Sequence, residues 1–226
     1  MIGSARAVAI TKSLPSPIAS YGFTAGTGTT AVDSSGNGRT LTLNNATWAT
    51  GHTGFGLTNS GSTTGAVTSS SSFTAPAAAL TIMAWVRPLD LTAGSTHFAA
   101  GFIDTGGSTC AAIFTQRGDF GTSNVLQCDL RLGGSLVAFH GPALTLNTWT
   151  HVAVTYNGAN VVVYKDGVSV GSYAATGTVA PGDGFFVAGS NLASLYDTDI
   201  DIDDVRVFNR ALTARQVKAA MTMPVA

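Results

Sequence analysis

The stretches Asp33-Ser34-Ser35-Gly36-Asn37-Gly38-Arg39 and Asp199-Ile200-Asp201-Ile202-Asp203-Asp204-Val205-Arg206-Val207-Phe208-Asn209-Arg210-Ala211-Leu212 decide the fold. The first reads as a tight, oxygen-rich turn. Its Gly36 and Gly38 permit positive φ, and its Asp and Asn side chains bond back to the backbone. The second reads as a strand with an acidic entry, in which Asp201, Asp203, Val205 and Val207 alternate onto one face. If the valines face a core, Asp203 is drawn toward it and needs a partner. A hard cation held between the two stretches would be one, because calcium takes carboxylate and carbonyl oxygens. An Asx-turn at Asp33 and an ion pair of Asp203 with Arg206 or Arg39 would serve equally.

Working outward, apolar alternation with turn punctuation recurs along the whole chain, the pattern of a sandwich. Strands are expected at 18–24, 40–45, 80–88, 97–103, 109–116, 124–132, 135–140, 149–157, 160–166, 168–174, 184–189 and 200–208. Val152, Val154 and Tyr156 alternate on one face, Asn157-Gly158 turns the chain, and Asp166-Gly167 makes a two-residue hairpin loop. One short helix is expected, opened by the capping box Thr213-Ala214-Arg215-Gln216 and running to about Met221. No linker divides the chain and no fixed-period repeat is present. The fold class expected is all-β: an antiparallel two-sheet sandwich with one short C-terminal helix.

The two opening stretches combine with Leu80-Thr81-Ile82-Met83-Ala84-Trp85-Val86-Arg87-Pro88, Trp149-Thr150-His151-Val152-Ala153-Val154-Thr155-Tyr156 and the Lys165-Asp166-Gly167 hairpin. In this order, from about Ile18 to about Val217, they resemble the laminin-G-like jelly roll of the concanavalin-A-like lectin and glucanase group. The resemblance implies a jelly-roll domain over residues 18–226, preceded by an extended arm at 1–17. It also implies a structural calcium site, with Asp33 and Asp203 at acidic motif positions. Carbonyls near Gly36 and Asn37 would complete the shell, and Asp201 is a further candidate. A fold of this kind hosts many unrelated activities.

The 226 residues suffice for one large β domain. The formal net charge of −1 and the 10% charged fraction offer no electrostatic basis for binding nucleic acid or an anionic membrane. No apolar run reaches the length of a membrane helix. All 12 acids are Asp, which speaks against paired-Glu glycosidase machinery while leaving Asp pairs open. No Ser stands in a nucleophile elbow, and the Gly-rich stretches precede no helix that could cradle phosphate. Arg117-Gly118-Asp119 reads as an ordinary charged turn.

Met1–Pro17 lacks the apolar core of a secretory signal. The arm is expected either to dock on its own domain or to hold a capsid, tail or neighbouring subunit. Cys110 and Cys128 oppose each other if a hairpin closes through 117–121 in the matching register, with Cys110, Ala112 and Phe114 sharing a face with Leu126, Cys128 and Leu130. A disulfide and two buried thiols both remain open. Trp85 and Trp149 sit in apolar strand patterns and are assigned to the core. His97, Phe120, His140 and Tyr196 are expected in loops, where they could stack on a sugar.

The functional expectation is a non-catalytic binding module for a surface glycan, carried on a virion as a phage decoration or minor tail protein. A module of a secreted adhesin or carbohydrate-active enzyme is the alternative, and an Asp-based hydrolase or lyase a third. The corresponding location is a virion surface or the extracellular space, in an oligomeric or assembly-bound state.

Overall fold

A computed structural model describes residues 14–62, 64–68, 73–92, 94–104, 106–117, 125–190 and 198–225. In chain order the strands are β1 (Ala19–Tyr21), β2 (Thr30–Ala31), β3 (Leu41–Leu43), β4 (Thr47–Thr50), β5 (Phe55–Ser62), β6 (Ala66–Thr68), β7 (Leu80–Pro88) and β8 (Thr96–Ile103). They continue as β9 (Thr109–Arg117), β10 (Val125–Leu132), β11 (Ser135–Ala143), β12 (Thr150–Tyr156), β13 (Asn160–Lys165), β14 (Val168–Ala174), β15 (Gly184–Val187) and β16 (Thr198–Phe208). One helix among the described residues, α1 (Ala214–Met221), follows.

The strands form two antiparallel sheets. One runs β14-β13-β12-β7-β16-β5-β4, with β1 added on β16; the other runs β11-β10-β9-β8-β15-β6-β3-β2. The inner faces meet in one core. Leu80, Ile82, Ala84 and Val86 of β7 and Val152, Val154 and Tyr156 of β12 face Phe102, Ile113, Leu126, Cys128 and Phe185 of the second sheet. Each fully buried Val, Leu, Ile or Phe among them stabilises the fold by about 1.5–3 kcal/mol. The expected jelly-roll sandwich is the structure found.

Local signals hold well. Asp166 and Gly167 both have positive φ (50° and 74°), as a type I′ turn requires, and they join Lys165 to its partner Val168. Thr213 caps α1 with Gln216 reciprocating. The helix lies on the outer face of the first sheet, where Val217 and Ala220 pack on Met83, Ala153 and Phe208. Strands β2, β4, β5 and β6 were not expected. They are short or rich in Gly, Ser and Thr, and pairing with neighbours makes them strands rather than intrinsic preference.

β16 departs from simple alternation. Ile200, Ile202, Val205 and Val207 all reach the core, an interval of three across the middle. The ladder to β7 shifts register between Asp203 and Arg206, and Asp204 has φ 48°. One extra residue is therefore accommodated as a β-bulge, in the left-handed region that Asp tolerates better than most residues. The expectation that Asp203 shares the valine face is corrected: Asp201 and Asp203 lie on the outer face.

The cysteine register is corrected too. Cys128 pairs with Ile113, three positions from Cys110. An odd shift exchanges faces, so Ala111 and Ile113, rather than Ala112 and Phe114, share the core with Leu126, Cys128 and Leu130. Both thiols are free and buried. Burial pushes Cys110 up to about 11 and Cys128 well above its usual value.

The turn at 33–39 clamps the start of the domain. Asp33 accepts from the backbone N–H of Ser20, Ser35 and Arg39, each at 2.9 Å, and from the Ser35 hydroxyl at 2.8 Å. The Ile18 carbonyl accepts from Ser35, Asn37 and Arg39 side chains. Residues preceding Ile18 also belong to the fold: Leu14 packs against the cluster beneath α1. The remainder of the expected arm, residues 1–13, lies outside the described residues.

Asp33→Ala leaves three buried or half-buried N–H groups without acceptors, at a cost of about 1–3 kcal/mol each before relaxation. Urea unfolding should show a loss of about 3 kcal/mol or more; a loss under about 0.5 kcal/mol would mean the clamp is dispensable.

Candidate functional site

The bulge in β16 organises the outer face of the first sheet. Asp203 is fully buried and accepts from its neighbour's N–H (Asp204, 2.7 Å) and from Thr53 N–H (3.0 Å). It thereby holds the turn 51–54 between β4 and β5, which the Gly51 N–H to Gly54 carbonyl bond closes. The approach is close: a Cβ on Gly51 would stand 2.6 Å from Asp203 Oδ2, and one on Gly56 2.7 Å from the Ile202 carbonyl. The turn carries His52 onto the ring of Trp85, stacked at 3.6 Å and 8°. His151, opposite Trp85 in the ladder, meets that ring edge-on at 5.5 Å. Trp149 stands edge-on to His52, and the Arg87 guanidinium lies 5.2 Å over the Trp149 ring.

Asp204 and Arg206 bind the chain's end to this face. Asp204 Oδ1 accepts from Val225 N–H at 2.9 Å. Arg206 donates to the Ala220 and Met223 carbonyls at the C-terminal end of α1. The tail leaves a cavity of about 360 Å³ lined by His52, Thr53, Trp85, Asp204, Met221, Thr222 and Pro224. A second of about 220 Å³ shares Thr53, Asp204 and Pro224. One wall is an aromatic stack and one is apolar, with a carboxylate between them, a combination suited to holding a small polar ring.

Burial sets the protonation of this cluster. It lifts the Asp203 carboxyl to about 6, against the lowering effect of the Thr53 N–H, and raises Asp204 as well. It depresses His52, and drives His151 down to about 3 with help from nearby Arg206. His151 Nδ1 is buried with no hydrogen-bond partner among the described residues. The His151 imidazole is therefore neutral at pH 7.

The expected site residues are scattered. Asp201 pairs with Arg87, whose Nε donates at 2.7 Å. His97 is not in a loop: it is fully buried in β8, between Asp90 (3.2 Å) and the Asp199 N–H (3.1 Å). His140 is half-buried in β11, with Nε2 at 3.1 Å from Gln127 Oε1. Phe120 and Tyr196 lie outside the described residues. Trp85 and Trp149 are half-buried on the outer face, not in the core. His52, Thr53 and Asp204 were not singled out, although a His inside Gly51-His52-Thr53-Gly54 and a doubled Asp were signals of an exposed ring and a bulge.

These residues do not fit a calcium shell. Asp33 fills all four of its acceptor positions with donors of its own chain. Asp203 turns both oxygens to N–H groups, and Asn37 aims its amide at the Ile18 carbonyl. Among the described residues no three His, Cys or Asp side chains converge as metal ligands. Millimolar chelator should therefore leave Tm unchanged; a drop of several degrees would restore the metal.

Two titrations oppose each other. Asp203, raised in the fold from 3.8 to about 6, contributes stability that is present below about 4 and lost as pH rises through 6. His151, lowered from 6.5 to about 3, contributes stability present above 6.5 and lost as pH falls toward 3. Asp203→Asn separates them. The Tm of the wild type minus that of the variant should rise as pH falls from 7 to 4, and a flat difference would refute the shift.

Comparison with known proteins bears on the architecture. A comparison with curated proteins finds no match. Among solved structures, Trypanosoma rangeli sialidase bound to 2,3-difluorosialic acid superposes with TM-score 0.66 and 18% identity, over 91% of this chain and 33% of that one. The binding domain of paraclostridial mosquitocidal protein 1 gives TM-score 0.68 and 16% identity, over 90% of this chain and 51% of that one. Domain 4 of AbnA, a GH43 extracellular arabinanase from Geobacillus stearothermophilus in complex with arabinotriose, gives TM-score 0.64 and 24% identity, over 90% of this chain and 97% of that one. The chain thus spans a third of the sialidase, about half of the toxin domain and nearly all of the arabinanase domain, and these likenesses speak to the fold. Residues 59–218 match a laminin-G-like family described as the Concanavalin A-like lectin/glucanases superfamily, and the chain belongs to that family.

Proposed function

We propose that this protein is a non-catalytic glycan-binding module. The observation that carries the reading is the cavity of about 360 Å³ walled by the His52–Trp85 stack and Asp204. A sugar presents an apolar C–H face and a rim of hydroxyls. The ring stack suits the face and the carboxylate suits the rim. Fold likeness supports this, since the AbnA domain of matching length is crystallised with arabinotriose.

Catalysis by an Asp pair has little to work with at this place. A hydrolase needs two carboxyls facing one sugar bond. Asp203 has both oxygens on backbone N–H groups and is fully buried, so Asp204 alone faces the cavity. A surface-exposed module of a larger glycan-active or adhesive protein is the favoured setting. Leu14 packs on its own domain rather than reaching away from it, which favours the module over a virion arm.

Isothermal titration with neutral oligosaccharides, arabinotriose among them, tests the reading. Trp85→Ala should weaken binding about tenfold or more while near-ultraviolet circular dichroism stays native-like. Release of reducing ends from polysaccharide would overturn the non-catalytic part.

A further inference from the structure

Resting on the glycan-binding reading, we infer that the cavity selects uncharged, hydroxyl-rich sugars and rejects acidic ones, with Asp204 Oδ2 as the selecting atom. Asp204 is only 7% exposed. Its Oδ1 accepts from Val225 N–H. Among the described residues its Oδ2 accepts no hydrogen bond, yet it is not sealed among the buried polar atoms that lack partners. It therefore opens into the space Asp204 lines on both sides of Thr53. An anionic oxygen that is largely desolvated and short of donors is an acceptor waiting for hydroxyl hydrogens.

The surrounding charges make the preference one-sided. Burial depresses the His52 imidazole, against the opposing pull of Asp204. Arg206, the nearest cation, donates to the Ala220 and Met223 carbonyls and is not among the groups lining the cavity. Arg87 is engaged with Asp201 and is also outside the lining. Asp203 lies beneath as a second carboxyl. Asp204 is thus the one charged side chain among the described residues lining the larger cavity. A carboxylate or sulfate on the sugar would meet like charge at low dielectric with no cation to receive it. A neutral ring meets an aromatic stack and a free acceptor. Fold likeness to a sialidase bound to a sialic-acid derivative gives no such ordering; this cavity's own charge does.

Matched pairs test the inference on the full chain by titration calorimetry at pH 7: lactose against sialyllactose, and a galactose tetramer against a galacturonate tetramer. The neutral member should bind about tenfold tighter or more in each pair, a ratio set by one charge-assisted hydrogen bond gained or one repulsion avoided. Asp204→Asn should weaken the neutral member and shrink the ratio toward one. Its Val225 contact makes a fold check necessary, and the wild-type ratios stand without the variant. Acidic members binding as well as neutral ones would overturn the inference and leave the glycan reading intact. Neutral binding untouched by Asp204→Asn would also overturn it, because the sugar would then sit elsewhere. No binding by any of the four, nor by arabinotriose, would remove the glycan reading, and the inference with it.

Discussion

The bulge at Asp203–Asp204 is the constraint on which the rest of this structure depends. Without the extra residue, β16 would present either Ile200 and Ile202 or Val205 and Val207 to the core, not all four. With it, the strand buries four branched residues and still turns Asp203, Asp204 and Arg206 to the other face, where Asp201 also lies. Asp203, Asp204 and Arg206 are the three that fasten other parts of the chain. Each of those has a separate structural task. Asp203 holds the 51–54 turn, Asp204 holds Val225, and Arg206 holds the end of α1. The last is favourable in kind, since a cation at a helix C-terminus meets both free carbonyls and the negative end of the dipole. A motif that looks like a metal site in sequence is thus a set of fasteners for hairpin, tail and helix.

The other acidic stretch works on the same strand from the far side. Asp33 supplies the acceptor for Ser20 N–H, and Ser20 pairs with Arg206 across β1 and β16. The two stretches that dominate the sequence are therefore joined through three residues of backbone, Ala19–Tyr21, rather than through an ion. The reason is stoichiometric. A carboxylate has about four acceptor positions, and Asp33 has four donors of its own chain, three in the turn itself and the Ser20 N–H of β1. Calcium would have to displace donors that are already in place and would leave N–H groups stranded.

What could be read from sequence was what is local. The Asp166-Gly167 loop, the Thr213–Gln216 capping box and the strong alternation of β12 each need only a few neighbouring residues, and each is present. Facing and register were not legible, because they depend on distant partners. β7 is nearly buried along its length, with the core on one side and α1 on the other, so its apolar run gave no sign that Trp85 looks outward. His97 sits in a strand whose every residue is buried, so its ring is spent on Asp90 and Asp199. The β9–β10 register turned on a connection whose length the strand pattern did not reveal, and an odd error there exchanged faces. Asp204 was passed over because a bulge is invisible to a strict period of two.

The coupling of fastening and proposed recognition in one residue follows from that geometry. A residue in a regular strand points to one face, and its backbone is consumed by its ladder partners. A bulge residue escapes the ladder, and its side chain leaves the sheet at an angle the regular positions cannot reach. Asp204 uses the freedom to bridge sheet and tail with one oxygen, which leaves the second beside the aromatic pair that the 51–54 turn assembles. The helix cannot cover this part of the sheet, since α1 ends at Met221 and the chain crosses as a narrow tail, with Pro224 lining the cavities on both sides. The recess is thus a by-product of closing a two-sheet fold with a short helix. Its polarity, however, comes from Asp204 alone among the charged groups of the described lining. A sandwich of this shape can be built around any residue able to hold Val225, but only an acid there leaves a charged acceptor facing the recess.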